Sequence, residues 1–350
     1  MSWTQIQRMG RGVMTSCTLI KRSMSRKLPA SLLIETIRNR NWENLDRDIA
    51  ERAKIVDTIL KYTEITNDHM TPDLKLFLLT PRCSLYHDPF DRVKKEFDQV
   101  EKQTFTNPFW SIYWPGGQGL VKFIFQEQRN IFIRSKDINV LDLGSGCGAT
   151  AIATKLLGIR NVVANDIDKD FVYIRKILGS TGCAPHYWAF PHLTRGQKTE
   201  SRASVKASAG PFPVLRIFMH TKLEITAFST SYTLNCYLLA CIATLMNATL
   251  NDVDVQVSWK NLLNEPLKET YDVIFIGDLL YEEELAETLI PWLLDASKKG
   301  TRIFLGDPGR HGLTSNLKKY LKLLCRYKLP ENTRKENNGY HEVCVWQFVN

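Results

Sequence analysis

The sequence predicts an α/β fold, a doubly wound, Rossmann-like sheet of seven strands that is mostly parallel, with an antiparallel C-terminal strand. Short apolar runs alternate with helix-like segments along residues 140–324, which is the pattern of parallel strands joined by crossover helices. Residues suited to ligand binding follow directly after several of these runs. In such sheets ligands bind beyond the carboxyl ends of the strands, so both observations indicate the same architecture.

Each element follows from a local signal. The predicted strands are apolar or alternating runs bounded by turn residues, at 140–143, 161–164, 252–257, 272–276, 301–305, 327–328 and 342–348. The predicted helices are at 74–79, 120–126, 149–157, 233–246, 282–299 and 313–324. Gly158 and Gly300 follow two of these helices and suit their C-terminal caps. Residues 31–78 carry mixed charges in an amphipathic pattern, and we expect them to be largely helical.

Composition divides the chain into segments. Residues 1–34 contain six Lys and Arg but no Asp or Glu, which favours a mitochondrial transit peptide over a merely disordered start. Residues 35–115 are expected to form a helical and aromatic extension, and residues 116–350 the main domain. Residues 169–232 interrupt that domain with nine basic residues against three acidic ones and four prolines, so we expect an insertion of low order.

The overall composition limits the class of protein. The chain has 350 residues, 44% of them hydrophobic, and no apolar run of the roughly 18 residues that a membrane span requires. Its eight cysteines form no C-x-x-C pair, so neither a disulfide framework nor a metal site is expected. The net charge of +9 suits nucleic acid or acidic protein partners, but much of it lies in residues 1–34 and 169–232.

A glycine loop follows the strand at 140–143 and precedes the helix that begins at Ala149. Glycines let a ligand lie against bare backbone, and the helix N-terminus is expected to offer it unpaired N–H groups. An acid eighteen residues after the loop can accept the hydroxyls of a ribose. Asp142 is expected to be buried and to hold the loop by hydrogen bonds. We predict a nucleotide-type cofactor site formed by Gly144, Ser145, Gly146, Gly148 and Asp166.

The loop reads G-x-G-x-G after Leu-Asp-Leu, whereas dinucleotide-binding folds favour G-x-G-x-x-G. This form resembles the S-adenosylmethionine fingerprint of class I methyltransferases. Four further motifs complete the set, at 112–117, 164–168, 277–281 and 306–310. Together they resemble the seven-β-strand lysine methyltransferases, whose fourth strand ends in D-x-x-Y, over about residues 70–168 and 233–350. The resemblance implies S-adenosylmethionine as cofactor and methyl transfer to lysines of a folded protein in the mitochondrial matrix.

The D-x-x-Y residues are the candidate catalytic pair, Asp278 and Tyr281. Asp166 already serves the cofactor, so Asp278 is expected to be free to orient the substrate amine; the alternative is an N-cap of the helix near Glu282. Tyr281 supplies either an aromatic wall or a hydroxyl, unless it merely packs on that helix. Trp114 is expected to cover the cofactor, since an aromatic face suits a sulfonium or ammonium cation. Trp259 either flanks the adenine ring or packs at the sheet edge.

Two other functions are consistent with parts of this pattern. A nucleic-acid methyltransferase fits the net charge, but the fourth strand lacks the N/D-P-P-Y/F-type sequence that holds a flat exocyclic amine, since residues 277–281 read Gly-Asp-Leu-Leu-Tyr. A non-enzymatic assembly factor fits the fold, but intact glycines, Asp166 and the D-x-x-Y sequence argue against it. The sequence therefore favours a protein-lysine methyltransferase without a stable nucleic-acid partner, and we expect the chain to be a monomer.

Overall fold

The computed structural model describes residues 34–36, 38, 49–87, 108–133, 135–166, 239–264, 267, 269–281, 283–337 and 339–349. The predicted transit peptide, except for its last residue, and the predicted insertion at 169–232 lie outside these ranges. Among the residues described, no helix combines the length and the hydropathy needed to cross a membrane.

The main sheet has seven strands, as predicted. They are β3 (Asn139–Leu143), β4 (Asn161–Asn165), β5 (Gln256–Ser258), β6 (Val273–Gly277), β7 (Arg302–Asp307), β8 (Leu321–Lys328) and β9 (Glu342–Phe348), in the order β5-β4-β3-β6-β7-β9-β8. The first five strands in that order pair in parallel, and β9 runs antiparallel to both β7 and β8. The mostly parallel sheet with an antiparallel C-terminal strand is confirmed.

Helices cover both faces of this sheet. They are α1 (Ile49–Tyr62), α2 (Ser84–His87), α3 (Pro115–Ile131), α4 (Ala149–Leu156), α5 (residues 239–250), α6 (Glu283–Lys298), α7 (Ser315–Lys318) and α8 (Glu331–Glu336). Alternate residues along the strands face opposite sides. Accordingly, Phe275 and Phe304 pack with α3 and α4 on one face, while Ile274 and Ile303 pack with α6 on the other.

Glycines bring the N-terminal end of α3 into direct contact with the ends of β6 and β7. A Cβ atom on Gly116 would lie 2.1 Å from the carbonyl oxygen of Gly306, and one on Gly277 would lie 3.1 Å from Gly117. Further along α3, a Cβ on Gly119 would lie 2.8 Å from Val343 of β9. The absence of side chains at these positions therefore sets how closely α3 approaches the carboxyl ends of the central strands. We call Gly116, Gly119, Gly277 and Gly306 the glycine interface.

The N-terminal extension contains a β-hairpin that the sequence analysis missed. Strands β1 (Glu64–Thr66) and β2 (Leu76–Leu78) pair antiparallel, where helix had been expected over 31–78 and specifically over 74–79. All three residues of β2 are buried, and a short apolar run of this kind does not distinguish strand from helix by its periodicity. The hairpin shares a hydrophobic core with α1 and α5. The extension therefore packs directly on the main domain.

The predicted helix at 313–324 is also wrong over most of its length. Only Ser315–Lys318 is helical, and Thr314 caps it by accepting a hydrogen bond from the amide of Leu317 at 3.2 Å. The chain then enters β8 at Leu321, which pairs with Phe348 of β9. The strand predicted at 327–328 is thus the end of a longer one, because pairing with β9 continues through Lys328.

Candidate functional site

The glycine loop lies between β3 and α4 at the carboxyl edge of the sheet. Gly144, Gly146 and Gly148 have φ angles of 72°, 52° and 77°, which lie in the left-handed region that favours glycine. Asp142 is buried, as predicted, but its carboxylate accepts a hydrogen bond from the amide of Ala151 in α4, at 3.0 Å, and not from the loop. Burial raises the pKa of Asp142 to about 7. The carboxyl group thus fixes the first turn of α4 against β3.

Four amides of the glycine loop donate to acceptors within the protein. The amides of Gly144 and Ser145 donate to the carbonyl of Asn165 at 2.8 and 3.0 Å, and the amide of Gly148 donates to Ser145 at 2.8 Å. The amide of Gly146 donates to Asp166 at 2.6 Å. A pyrophosphate is normally held by such amides. Their internal pairing therefore disfavours a dinucleotide and is compatible with a cofactor that has no phosphate, such as S-adenosylmethionine.

Asp166 follows β4 and faces the glycine loop. One carboxylate oxygen, Oδ2, accepts the amide of Gly146, and Oδ1 has no hydrogen-bond partner among the described residues. Burial raises the pKa of Asp166 to about 6, and the Gly146 amide opposes this shift. A Cβ atom on Gly146 would have no atom within 4 Å, so the backbone beside Asp166 borders open space. An acceptor beside bare backbone fits the ribose of S-adenosylmethionine.

Trp259 directly follows β5, whose end lies next to Asp166 in space although the two segments are distant in the sequence. The amide of Asp166 donates to the carbonyl of Ser258 at 3.1 Å, so the end of β5 is hydrogen-bonded to the acid that follows β4. The indole ring is partly buried against the core that α5 shares with the hairpin. This packing agrees with the sheet-edge alternative and leaves its contact with an adenine ring a prediction.

Asp278 is not free, contrary to the prediction from the sequence, because both of its oxygens accept hydrogen bonds from protein groups. Oδ2 accepts the amides of Gly116 and Gly117 at the start of α3, the second at 3.2 Å, and Oδ1 accepts Nε of Arg310 at 2.7 Å. The alternative prediction named the helix near Glu282 as the one that Asp278 caps, whereas the helix whose first-turn amides Asp278 accepts is α3. Burial raises the pKa of Asp278, while Arg310 and the two amides act in the opposite direction.

Arg310 is the partner that the sequence analysis missed. Its side chain is 13% exposed and that of Asp278 is 4% exposed, so the ion pair is largely withdrawn from water. The guanidinium carbon lies 5.1 Å from the centre of the Trp114 ring and 5.9 Å from that of Tyr340. Arg310 follows β7 by three residues, and only the three-dimensional fold brings it to Asp278, which follows β6.

Trp114 precedes α3 and is half-buried. Its indole Nε1 donates to the carbonyl of Phe109 at 3.1 Å, which fixes the plane of the ring. A cation was expected against this ring from the sequence, and the cation that the structure places there is the guanidinium of Arg310. Contact between Trp114 and the cofactor remains a prediction.

Asp307 supports the turn that carries Arg310. Its Oδ1 accepts the amides of Gly309 and Arg310 at 2.6 and 2.8 Å, and Oδ2 is buried without a partner among the described residues. Burial and the neighbouring charge of Asp278 raise the pKa of Asp307 to about 6. The Asp-Pro-Gly-Arg sequence after a strand was the available signal for this turn, although nothing local indicated the pairing of Arg310 with Asp278.

Tyr281 lies half-buried between β6 and α6. It packs against the hydrophobic cluster that α6 forms with β3, β6 and β7. This contact agrees with the helix-packing alternative, and its role as an aromatic wall or a hydroxyl donor stays a prediction. In the part of the chain that the structure covers, no group of three or more His, Cys, Asp or Glu is placed to hold a metal ion.

Comparison with known proteins assigns the chain to a family. A family model described as "Lysine methyltransferase" matches residues 99–179. The electron transfer flavoprotein beta subunit lysine methyltransferases of rat and mouse are 31% and 32% identical over 289 residues, which cover 82% of this chain and 81% of each relative. Among solved structures, the N-methyltransferase NodS of Bradyrhizobium japonicum with S-adenosyl-L-homocysteine matches 68% of this chain and 88% of its own, at 12% identity and a TM-score of 0.34. So distant a likeness adds nothing to the assignment.

The agreement with the rat and mouse relatives extends over most of both chains. The chain is an S-adenosylmethionine-dependent protein-lysine methyltransferase, and it belongs to the family of the electron transfer flavoprotein beta subunit lysine methyltransferases.

Proposed function

We propose that this chain methylates lysine ε-amines of the electron transfer flavoprotein β-subunit in the mitochondrial matrix. The observation that carries the proposal is the position of two features on adjacent strands. A glycine loop whose amides are bonded internally follows β3, and a buried acid, Asp278, follows β6. The names of the rat and mouse relatives supply the identity of the protein substrate. S-Adenosylmethionine supplies an electrophilic methyl group on a sulfonium sulfur.

The cofactor is held at the carboxyl ends of β3 and β4. The bare backbone of Gly144, Gly146 and Gly148 borders it, with Ser145 beside them, and Asp166 accepts the ribose hydroxyls through its available oxygen. Trp259 flanks the adenine ring from the end of β5, and Trp114 covers the methionine end from the start of α3.

Asp278 orients the target amine. A carboxylate has about four lone-pair positions, and the amides of Gly116 and Gly117 with Nε of Arg310 occupy three of them. The remaining position accepts one N–H of the lysine and directs its lone pair at the methyl carbon. Tyr281 forms one wall of the channel. Because the carboxylate is fixed from three directions, the amine is oriented without rearrangement of the site.

Arg310 helps to keep that amine neutral. A free lysine has a pKa of about 10.4, and only its uncharged form attacks a methyl group. An unpaired Asp278 would favour the ammonium form, whereas the guanidinium at 2.7 Å offsets the charge of the carboxylate. Burial of the ion pair and the positive charge of the cofactor act in the same direction as Arg310.

A methylation assay with defined components tests the function. The purified 350-residue chain is incubated with labelled S-adenosylmethionine and either the flavoprotein β-subunit or mitochondrial RNA. We expect label on lysines of the β-subunit, and mass spectrometry identifies the sites and the number of methyl groups. Label only on RNA, or only on another protein of a mitochondrial extract, would replace the proposed substrate.

The first mutational prediction concerns Asp166. Replacement by Ala should weaken the binding of S-adenosylhomocysteine by roughly 1–3 kcal/mol, because the ribose hydroxyls lose a charged acceptor. The ionised form of Asp166 is the stronger acceptor for the ribose hydroxyls, and the pKa of Asp166 is raised to about 6 by burial. The affinity of the wild-type chain should therefore fall about tenfold from pH 7 to pH 5.

Asp166→Asn is the matched control for this pH effect, since the amide has a similar shape but does not titrate. Calorimetric titration of both chains at pH 5, 6 and 7 measures it. An equal pH dependence in the two chains, or full affinity in Asp166→Ala, would assign the ribose to another residue, with Asp168 the next acid along the chain.

The matrix location rests on residues 1–34, which we propose are removed after import. A reporter fused to this segment tests the idea, since a cytosolic reporter would overturn it. We further propose that the chain acts as a monomer and binds no nucleic acid stably. Size-exclusion chromatography with light scattering, in the presence and absence of RNA, examines both points.

A further inference from the structure

The helix α5 connects the N-terminal hairpin with the glycine loop. Asn247 lies in the middle of this helix and is fully buried, with an exposed fraction of 0%. Its Oδ1 accepts the amide of Phe77 in β2 at 2.7 Å, and its Nδ2 donates to the carbonyl of Cys147 in the glycine loop at 2.9 Å. One side chain therefore bonds simultaneously to two elements that are otherwise 70 residues apart in the sequence.

The bond to the hairpin is part of a regular arrangement. Asn251, one helical turn later, accepts the amide of Lys75 at 3.0 Å and donates to its carbonyl at 2.7 Å. Residues four apart on a helix rise by about 6 Å, and alternate residues of a strand by about 6.6 Å. The spacing of the two asparagines therefore matches the spacing of Lys75 and Phe77. Their side chains form hydrogen bonds with the backbone of these two residues on the side away from β1, where a third strand would otherwise pair.

The bond to the glycine loop is reinforced by a second contact. Thr244, three residues before Asn247, donates from Oγ1 to the carbonyl of Gly146 at 3.3 Å. A Cβ atom on Gly148 would lie 2.6 Å from Cγ2 of Thr244, so α5 and the loop are in close contact there. Two consecutive loop carbonyls, those of Gly146 and Cys147, thus accept hydrogen bonds from α5. Their orientation determines which way the backbone of the loop faces.

We propose that Asn247 is a positioning residue for cofactor binding, through which the hairpin holds the glycine loop in its binding conformation. The proposal rests on the proposed function only in that the loop is taken to bind S-adenosylmethionine. Loss of the Asn247 side chain leaves the buried amide of Phe77 and the buried carbonyl of Cys147 without partners, which is costly for each. Both groups then seek other partners, and the loop shifts.

Asn247→Ala and Asn251→Ala form a matched pair, because both asparagines bond to β2 but only Asn247 bonds to the loop. Calorimetry in the full chain should show S-adenosylhomocysteine binding weakened about tenfold in Asn247→Ala and within about twofold of wild type in Asn251→Ala. The KM for S-adenosylmethionine should rise in the same proportion while kcat changes little. A purely structural role would lower the melting temperature without this difference in affinity.

Hydrogen exchange of the ligand-free chain provides a readout that needs no cofactor. The amides of Gly144, Ser145, Gly146 and Gly148 are all internally bonded and should be protected in wild type. We expect their exchange to accelerate at least fivefold in Asn247→Ala and to stay at the wild-type rate in Asn251→Ala. Wild-type exchange and wild-type affinity in Asn247→Ala would overturn the proposal.

The outcomes separate this inference from the proposed function. If the wild-type chain binds no S-adenosylhomocysteine, the proposed function fails, and the exchange comparison still decides the role of Asn247. If Asn247→Ala does not fold, Asn247→Leu replaces it, since the apolar side chain fills a similar volume but can neither accept from Phe77 nor donate to Cys147. Faster loop exchange in Asn247→Leu supports the proposal, and unchanged exchange refutes it.

Discussion

Replacing Asp278 with Asn should reduce methyl transfer by two or more orders of magnitude, while the affinity for S-adenosylhomocysteine stays within about threefold of wild type. The amide keeps one acceptor and the shape of the carboxylate but cannot bind three donors and the amine together. The substitution is expected to raise the energy of the transition state and not to weaken cofactor binding. A misdirected lysine can still enter the site, and we propose that other residues bind the cofactor.

This substitution should also destabilise the fold, since Asp278 is a structural residue as well. It caps α3 and pairs with an arginine whose side chain is only 13% exposed. Removing one partner of a buried ion pair costs about 3 kcal/mol or more, because the remaining charge stays buried. Thermal unfolding therefore accompanies the kinetic measurement, and assays are run well below the melting temperature of the variant.

A second variant separates the two roles of Asp278. Arg310→Gln disrupts the same ion pair but leaves the carboxylate and its contacts with Gly116 and Gly117. We expect a comparable loss of stability with a smaller loss of rate, part of which should be recovered at higher pH as more of the lysine becomes neutral. Full activity of a folded Asp278→Asn chain would mean that Asp278 only caps α3 and that other residues hold the amine.

Local sequence signals were sufficient for the central sheet and for the turn that the glycine loop forms after β3. Glycine spacing, the apolar strand at 140–143 and the position of Asp166 are short-range features, and a parallel sheet brings the ends of its strands to one edge. The same reasoning failed for β2 and β8. In both, pairing with the neighbouring strand, β1 or β9, decided between helix and strand, and the apolar pattern of a short run does not reveal that pairing.

The contacts around Asp278 and Asn247 were beyond the reach of sequence reasoning for a related cause. Asp278 meets the start of α3 across 162 positions, and Asn247 meets Phe77 across 170. Residue type at either end permits many partners, and only the packed fold selects one. Polar residues four apart on the otherwise apolar helix α5 were the one available hint, since a buried helix face carries Asn only where its amide is bonded.

The glycine interface gives the other large effect that we expect. Gly116→Ala should lower the free energy of unfolding by roughly 3 kcal/mol and abolish most activity, because a Cβ there lies 2.1 Å from a carbonyl oxygen of Gly306 and 2.7 Å from the amide of Asp278. These are backbone atoms, so relief requires α3 to move away from β6 and β7. That movement would also withdraw the two amides that hold the carboxylate of Asp278.

Gly117→Ala is the matched control one residue later, where the nearest atom to a new Cβ is a ring carbon of Tyr113 at an ordinary 3.4 Å. Alanine is favoured over glycine inside a helix by up to about 1 kcal/mol, so this variant should be as stable as wild type or slightly more so. Thermal unfolding and the methylation assay on both chains measure the difference. Equal stability of the two variants would show that α3 can shift without cost, and the close approach of the helix would then not be what positions Asp278.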